Sequence, residues 1–199
     1  MAAKIELVVA TQNKKKLREI KDLLKGLPYK VSSLADYPGA PRIIENGLSF
    51  KENAAKKARV VAHFTKKISL GEDSGLCVDY LGGKPGIFSA RFAGLGKDDL
   101  KNNLKLLRLL KGVPAQKRKA HYVCAVAIAD KDGLLKVVEG KCFGRIGEEM
   151  RGKAGFGYDP IFVIPKLNKT FAELGLKIKH TLSHRFRALK KAKACLAKF

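Results

Sequence analysis

The strongest constraint on the fold is an unbroken run of eight apolar residues from Tyr122 to Ala129. A strand that is apolar on both faces belongs inside a sheet that is covered on both sides. The segments 119–130 and 134–146 enclose turn-forming residues at 130–133, which predicts a hairpin of two long strands. Because a membrane-spanning helix needs ~20 apolar residues, the run predicts a central strand and no transmembrane segment.

Strand-like and helix-like segments alternate before this run. Residues 5–10 are apolar enough for a buried strand. Helical spacing follows in Leu17, Ile20, Leu24 and Leu27. Ser49 and Glu52 form a capping-box motif at the start of a second helix. A short strand over 68–70 then leads into a predicted turn at 72–75. This order of segments predicts an α/β protein.

Two stripes of apolar residues predict further helices. The first helix begins near Asp98 and ends at Gly112. Its inward residues are expected to be Leu100, Leu104, Leu107 and Leu110. The last helix carries the stripe Leu182, Phe186, Leu189, Ala192, Leu196 and Phe199. Thr170 and Glu173 are expected to cap a short helix before it. Since no repeat or long linker interrupts these segments, residues 1–199 are predicted to form a single α/β domain.

The chain is strongly basic, with 41 Lys+Arg against 18 Asp+Glu and a net charge of +23. Such a charge attracts nucleic acid, a membrane surface or nucleotide phosphates without choosing among them, and a solvated lysine-rich surface accounts for most of the excess. The hydrophobic content of 46% excludes a disordered basic tail. Four scattered cysteines lack metal-site or redox spacing and are expected to be reduced. Glu6 interrupts the apolar N-terminal stretch, so no secretory signal is expected and the predicted location is cytoplasmic.

Two turns that follow strands are candidates for chemistry. The first contains Thr11, Asn13 and Lys16, placed where backbone N–H groups and the positive end of a helix face an anion. An ordinary turn with a polar N-cap and solvated lysines explains the same residues. In the second turn, Glu72 and Asp73 come at a strand end, and two carboxylates there suggest a metal. The usual phosphate-loop, dinucleotide and zinc-helix signatures are missing, so any phosphate would be bound by another device.

Six segments, in order along almost the whole chain, carry a family resemblance. They are VVATQNKKKLREI, ENGLSFKENAAKKA, GEDSGLCVDYLGGKPGIFSARFAG, GFGYDPIF, KTFAEL and SHRFRALKK. Together they resemble the noncanonical purine nucleoside triphosphate pyrophosphatases, also called the inosine triphosphatase or Ham1-like family. Each segment is weak alone, whereas the ordered combination is specific.

The resemblance implies both a fold and a reaction. The fold would be α/β, an elongated mixed twisted sheet flanked by helices, with two lobes and a cleft between them, assembled as a homodimer. The reaction would be hydrolysis of ITP, dITP and XTP to the monophosphate and pyrophosphate with Mg²⁺, which would cleanse the nucleotide pool. A divalent cation is expected because a triphosphate repels carboxylates, and Mg²⁺ typically takes one or two carboxylates plus phosphates and waters.

The resemblance also implies a role for each matched residue. Asp73 would be the catalytic residue that helps to bind metal and to activate water. The metal ligands would be Glu45, Glu72 and Asp73, with Glu72 standing where many relatives carry Asp. The phosphate-binding residues would be Thr11, Asn13, Lys16, Lys57, Ser74 and Lys179. The base-binding residues would be Phe156, Gly157, Tyr158, Asp159, His184 and Arg185. Arg91 would reach the base or the phosphates, or else form a structural ion pair.

Base choice in this scheme depends on hydrogen bonds rather than on stacking. Phe156 offers a face to any base, so discrimination is assigned to His184 and Arg185, directed at the 6-oxo group of hypoxanthine and xanthine. Two alternatives stay open: a nucleic-acid-binding module, although no RNP, helix-turn-helix or zinc-finger motif supports it, and a related pyrophosphatase with another base choice. The predicted partner is a nucleoside triphosphate, with no membrane association and with nucleic acid not expected as the main partner.

Overall fold

The structure is a computed structural model and describes residues 5–96 and 98–198. Within these ranges the chain forms one sheet of seven strands and five α-helices. The strands are β1 (Ile5–Val9), β2 (Tyr29–Ser33), β3 (Ile68–Val78), β4 (Lys119–Asp130), β5 (Gly133–Ile146), β6 (Phe162–Ile164) and β7 (Lys169–Thr170). The helices are α1 (Lys14–Leu23), α2 (Phe50–Thr65), α3 (Asp99–Leu109), α4 (Phe171–Leu182) and α5 (His184–Leu196). No helix in the described ranges combines the length and the apolar character needed to cross a bilayer.

The sheet is mixed, as expected. Its strand order is β2-β1-β3-β4-β5-β6-β7. β1 pairs in parallel with β2 and β3, whereas β6 pairs antiparallel with β5 and β7. β4 is the middle strand, and residues 122–129 are all buried. The apolar run therefore forms the predicted central strand, and β4 with β5 forms the predicted long hairpin.

The chain divides into two compact units. The first contains residues 5–73, 124–140 and 185–198. Both faces of its part of β4 are covered, because successive side chains of a strand point to opposite sides. Cys124, Val126 and Ile128 pack with the apolar residues of α1 and α5. Ala125, Ala127 and Ala129 pack against the alanines of α2. The small residues on the second face allow α2 to lie close to the sheet.

The second unit contains residues 74–123 and 141–184. Its core is aromatic: the ring of Phe162 lies 4.6 Å from the ring of Tyr122 and 5.2 Å from that of Phe171, measured between centroids. Leu106 and Leu110 bring the end of the third helix onto the same cluster. Offset or tilted aromatic pairs of this kind add to the stability gained from burial alone.

The stripe predicted for α3 is only partly correct. Two of its four predicted inward leucines pack into the core: Leu107 and Leu110. Leu100 and Leu104 are instead about half exposed, at 55% and 51%. Asn102 and Asn103 take the inward positions, because their side-chain amides satisfy backbone groups of neighbouring loops. Hydrophobic spacing alone does not reveal buried amides of this kind.

The turn predicted at 72–75 is wrong. β3 continues as a strand from Ile68 to Val78, so Glu72 and Asp73 lie in mid-strand and are buried. A polar stretch usually indicates a loop, but here each carboxylate is paired with buried cations. Burial of charge is tolerated where such partners exist.

The helix caps follow the sequence motifs with one difference. Thr170 and Glu173 form the full reciprocal capping box at the start of α4. Ser49 caps α2 by accepting from the backbone N–H of Glu52, whereas the Glu52 carboxylate accepts from Leu48 N–H rather than from Ser49 N–H. In the last helix, the buried stripe is Ala188, Leu189, Ala192 and Leu196. Of the other predicted members, Leu182 ends α4, Phe186 is half-buried and Phe199 lies outside the described residues.

Candidate active site

Alternation along β3 sends Glu72 and Asp73 to opposite faces of the sheet. Leu70, two residues before Glu72, packs in the cluster of α1 and α5. Gly71, two residues before Asp73, lies so close to α2 that an added Cβ would overlap the carbonyl oxygen of Ala54. Asp73 therefore faces α2, and Glu72 faces α1 and α5.

Asp73 and Glu45 meet at one lysine. The Nζ of Lys57 lies 3.0 Å from Asp73 Oδ1 and 3.0 Å from Glu45 Oε2. Asn53, one turn before Lys57 on α2, donates from Nδ2 to Asp73 Oδ2 at 3.3 Å. Its Oδ1 accepts from the backbone N–H of Gly47 at 2.8 Å, which ties the loop that carries Glu45 to the same helix. The three sequence-predicted residues Glu45, Lys57 and Asp73 are thus brought together.

The charged side chains of Glu45, Lys57 and Asp73 shift one another's pKa values. Burial is the main cause that raises the pKa of Asp73 from 3.8 to about 6, with Lys57 and Lys16 opposing the rise. Burial alone would lower the pKa of Lys57, but the nearby carboxylates, first Asp73 and then Glu45, outweigh it and the pKa is raised. Lys57 therefore stays charged, while Asp73 titrates close to neutral pH.

Glu72 makes its hydrogen bonds and ion pairs in a second cluster of charged residues in the same unit. Its Oε2 lies 2.8 Å from Lys16 Nζ, and its Oε1 accepts from Arg185 Nη2 at 3.1 Å and Nε at 3.3 Å. Arg185 also contacts Glu19 through Nη1, and the thiol of Cys124 lies 3.3 Å from Glu72 Oε1. Although burial raises the pKa of Glu72, Lys16 and Arg185 hold it well below its ordinary value. Both Glu72 oxygens are thus occupied on the face away from Asp73.

The polar turn before α1 caps that helix. Asn13 Oδ1 accepts from the backbone N–H groups of Lys15 and Lys16, at 3.0 and 3.1 Å. The backbone N–H of Asn13 donates to Thr11 Oγ1 at 3.2 Å. The side chain of Lys16 extends from the first turn of α1 toward Glu72, and a fifth of it is exposed. Ser74 follows Asp73 in β3 and is half-buried.

Most of the predicted base-binding residues gather in the second unit around Asp159. Its Oδ2 accepts from the backbone N–H of Phe156 at 2.9 Å and lies 2.6 Å from Lys179 Nζ. The same Nζ stands 4.4 Å from the centroid of the Phe156 ring, in cation–π geometry. Gly155 has a φ of +85° and leaves no room for a Cβ beside the Asp159 carboxylate. Lys179, predicted with the phosphate group, is thus placed with the predicted base-binding residues.

The neighbouring residues shape this loop. Gly157 donates its N–H to Asp99 Oδ2 and accepts from Asn103 Nδ2, each at 2.8 Å. The hydroxyl of Tyr158 donates to the carbonyl of Ser89 at 2.8 Å, and burial raises its pKa. His184 is buried, and its ring stacks on Tyr122 with centroids 4.5 Å apart.

Two predicted residues have other surroundings. Arg185 follows His184 in sequence but belongs to the first unit, where Glu19 and Glu72 hold its guanidinium. The Arg91 guanidinium lies over the Phe88 ring, 5.1 Å from its centroid.

Glu19 and Asn53 are the residues that the sequence analysis missed. A signal existed for both, since residues three or four apart on a helix share a face. Glu19 is three residues after Lys16 on α1, and Asn53 is four residues before Lys57 on α2. Each could have been selected as the polar neighbour of a candidate lysine.

The acid pair is a partial metal site. Across residues 5–96 and 98–198, no group of three His, Cys, Asp or Glu side chains is placed to hold a metal ion by itself. Two carboxylates, from Glu45 and Asp73, converge on the Lys57 ammonium and create a position that a cation favours. Mg²⁺ commonly takes one or two carboxylates and completes its shell with phosphates and water, so these two residues fit such an ion.

The fold and these clusters define an α/β protein with a mixed sheet, an acid–lysine cluster in one unit and an aromatic–lysine cluster in the other. The Ham1 family model matches residues 7–195, and the chain belongs to that family.

Relatives and solved structures agree with this membership. The chain is 50% identical over 188 residues to a dITP/XTP pyrophosphatase of Desulforamulus reducens, covering 94% of each chain. It is 51% identical over 184 residues to a dITP/XTP pyrophosphatase of Shouchella clausii, covering 92% of each. A HAM1 protein from Coxiella burnetii superposes with a TM-score of 0.89 at 37% identity, over 98% of this chain and 100% of that one. The predicted family and fold class are therefore confirmed.

Proposed function

We propose that this chain is a nucleoside triphosphate pyrophosphatase that hydrolyses dITP, XTP and ITP to the monophosphate and pyrophosphate. The observation that carries the proposal is the meeting of Glu45 and Asp73 at the buried Lys57 ammonium. The names of the relatives, dITP/XTP pyrophosphatase, support the same reaction and substrates. The activity would remove deaminated purine nucleotides from the cytoplasmic pool.

Glu45 and Asp73 would hold Mg²⁺ in this proposal. When bound, the metal ion would polarise the phosphate and lower the pKa of water. Glu72, predicted as a third ligand, is left out of this set because it points to the opposite face and both its oxygens contact cations. Glu72 instead organises Lys16 and Arg185.

Asp73 is assigned the role of general base. In the metal-free protein, burial raises the pKa of Asp73 to about 6, so the carboxylate is ionised at neutral pH yet still able to accept a proton. Asn53 holds one of its oxygens and Lys57 the other, which fixes its orientation. The water oxygen bonds to the α-phosphorus, the bond to the bridging oxygen breaks and pyrophosphate leaves. Lys16 and Lys57 would offset the charge on the leaving group.

Phe156, Asp159 and Lys179 are assigned to the base. Phe156 provides a stacking face, and the Lys179 ammonium beside it is a hydrogen-bond donor for a carbonyl such as the 6-oxo group. Arg185 would have to leave Glu19 or Glu72 to reach a base, so we assign 6-oxo recognition to Lys179 with His184. The predicted cleft between two lobes and the homodimer stay predictions.

Pyrophosphate release tests this function. We expect the wild-type protein to cleave dITP, XTP and ITP with Mg²⁺, to cleave GTP and ATP far more slowly, and to lose activity in EDTA. Asp73→Asn should lower kcat by ~100-fold or more, because general-base catalysis contributes about that much. Asp132→Asn, in the exposed turn between β4 and β5, is the matched control and should keep the wild-type rate.

Two outcomes would contradict the proposal. An Asp73→Asn variant that keeps more than about a tenth of the wild-type rate would remove Asp73 as general base. Equal rates on all five nucleotides, or a preference for other nucleotides, would favour the alternative of a related pyrophosphatase with another base choice.

A further inference from the structure

Glu19 is a buried carboxylate for which the proposed reaction has no direct use. It lies on α1 with only 6% of its surface exposed. Its Oε2 contacts Arg185 Nη1, and this ion pair joins α1 to the start of α5 within the first unit. Since a buried carboxylate is costly unless it is paired, the position of Glu19 depends on Arg185, and that of Arg185 depends on Glu19.

The guanidinium of Arg185 passes this constraint to Glu72. A guanidinium is planar and rigid, so fixing Nη1 also fixes the edge formed by Nε and Nη2. That edge grips Glu72 Oε1, at 3.3 and 3.1 Å. Arg185 itself is 2% exposed, which leaves it no solvent to replace a lost partner.

Glu72 in turn sets the direction of Lys16. Its second oxygen, Oε2, lies 2.8 Å from Lys16 Nζ. Lys16 has 20% of its side chain exposed, against 8% or less for the other three members of the series. The series Glu19–Arg185–Glu72–Lys16 thus begins at a buried acid and ends at the one of its members that a ligand in solvent can reach.

We propose that Glu19 is a positioning residue that holds Arg185 on Glu72 and thereby directs the Lys16 ammonium at the substrate's phosphates. This inference rests on the proposed function for the identity of the substrate. Without the Glu19 charge, the ion pair at Arg185 Nη1 is lost and the guanidinium can shift on Glu72. Small displacements of a group that contacts substrate can lower rates by ~100-fold.

A double-mutant cycle tests the proposal. We expect Glu19→Gln to lower kcat/KM for dITP by about tenfold or more. In a Lys16→Met background the same change should cost less than about threefold, because residues that act through one another are not additive. Glu19→Asp keeps the charge on a shorter side chain and should recover part of the loss. Urea unfolding of each variant confirms that the folded protein is being assayed.

The control is a carboxylate of the same unit outside the series. Glu6 on β1 lies 2.6 Å from Lys67 Nζ and accepts from the hydroxyl of Tyr37. Glu6→Gln removes a more exposed ion pair of the same unit and should leave kcat/KM within about twofold of wild type. A general loss of stability appears in the urea unfolding of each variant, whereas a positioning role lowers kcat/KM of Glu19→Gln while the protein is folded.

Equal losses for Glu19→Gln with and without Lys16 would overturn the proposal, as would an unchanged kcat/KM. If Glu19→Gln does not fold, the same cycle is run with Glu19→Asp. Binding of inorganic tripolyphosphate, measured by calorimetry, separates this inference from the proposed function. A wild-type protein that cleaves no dITP refutes the function. The inference is still supported if Glu19→Gln weakens tripolyphosphate binding in the wild-type background but not in the Lys16→Met background. It is refuted if Glu19→Gln weakens binding in neither background.

Discussion

The pKa values of two adjacent carboxyl groups on β3, those of Glu72 and Asp73, are shifted in opposite directions. Both Glu72 and Asp73 are buried, and burial alone raises the pKa of each. Glu72 faces Lys16 and Arg185, whose charges outweigh burial and lower its pKa. Asp73 shares the Lys57 ammonium with Glu45, so its pKa stays raised, at about 6. One step along a strand thus separates a permanent anion from a group able to exchange a proton near neutral pH.

The raised pKa of Asp73 predicts a pH-dependent term in stability. The folded state binds this proton more tightly than the unfolded chain, so the stabilisation is complete below about pH 4 and lost as the pH rises through about 6. We expect the free energy of unfolding of the metal-free protein, relative to that of Asp73→Asn, to fall across this interval. Urea titrations in EDTA at several pH values measure the difference. A difference that stays constant across this interval would contradict the assigned shift.

The motifs predict which acids and which lysine come together better than they predict the surroundings of each residue. Glu45 and Lys57 come from one motif and Asp73 from another, and the three meet in the structure. Lys179, predicted to bind phosphate, lies beside Asp159 in the structure. Its partner depends on how the loop 155–159 folds around Asp159, and no periodicity in the sequence reports that. Arg185 was expected at the base, but its acid partners lie 113 and 166 positions away.

At the scale of elements, the contact between β3 and α2 determines where Asp73 lies. Gly71 has no side chain, and the helix presents Ala54 and Ala58 to it. An added Cβ at Gly71 would overlap the Ala54 carbonyl oxygen and come within 2.6 Å of Ala58 N. Because these are backbone atoms, no side-chain rotation can relieve the overlap. The closeness of the two elements is also what brings Asn53 and Lys57 within reach of Asp73.

Gly71→Ala is therefore expected to separate α2 from β3. Overpacking of this kind typically costs ~1–3 kcal/mol and more where backbone must move, so the midpoint of urea unfolding should fall. The fall in kcat should exceed what the fraction of unfolded protein accounts for, since Lys57 and Asn53 move with the helix. Gly96→Ala is the matched control, because nothing lies within 4 Å of an added Cβ there. Equal stability of the two variants would show that the contact is looser than described.

Elements with strong local signals were predicted correctly, and those whose polar residues are buried were not. The β4–β5 hairpin and the caps of α2 and α4 follow from spacing and turn chemistry. The sequence predicts that β3 ends at residue 70, because the acids that follow resemble a turn, whereas the strand continues to Val78. The predicted apolar stripe of α3 is partly wrong because Asn102 and Asn103 are buried. The partners that make Glu72 and Asn103 acceptable in the interior lie 113 and 54 positions away, and those of Asn102 lie in the loop before α3, where no spacing rule reports them.

At the scale of the whole molecule, the net charge of +23 is an unfavourable term for any compact state. The buried clusters pair their cations with acids, as at Lys57 and Arg185. Much of the surplus lies on the surface, for example on the exposed residues of α1: Lys14, Lys15, Arg18 and Lys21. Repulsion among exposed charges is screened by salt, whereas buried pairs are screened much less.

Thermal stability should consequently rise with NaCl concentration. Raising the ionic strength from about 0.01 M to about 0.15 M shortens the screening length from ~30 Å to ~8 Å. A relief of repulsion of about 1 kcal/mol would raise Tm by ~2–4 °C for a chain of this size. Scanning calorimetry in a non-phosphate buffer measures the change, with sucrose at equal osmolarity as the control. A Tm that falls with salt would indicate that surface ion pairs outweigh repulsion.

Arg185 reaches the first unit from a chain segment that the ribosome synthesises long after Glu72 and Glu19, 113 and 166 positions later. Glu19 and Glu72 emerge much earlier and, until Arg185 follows them, bring two negative charges toward the same interior. Domains commonly fold from the N-terminus during synthesis, but Glu19 gains the Arg185 cation, and Glu72 the second of its two cations, only when α5 has been made. A nascent chain arrested before residue 185 would thus remain open to proteases and chaperones.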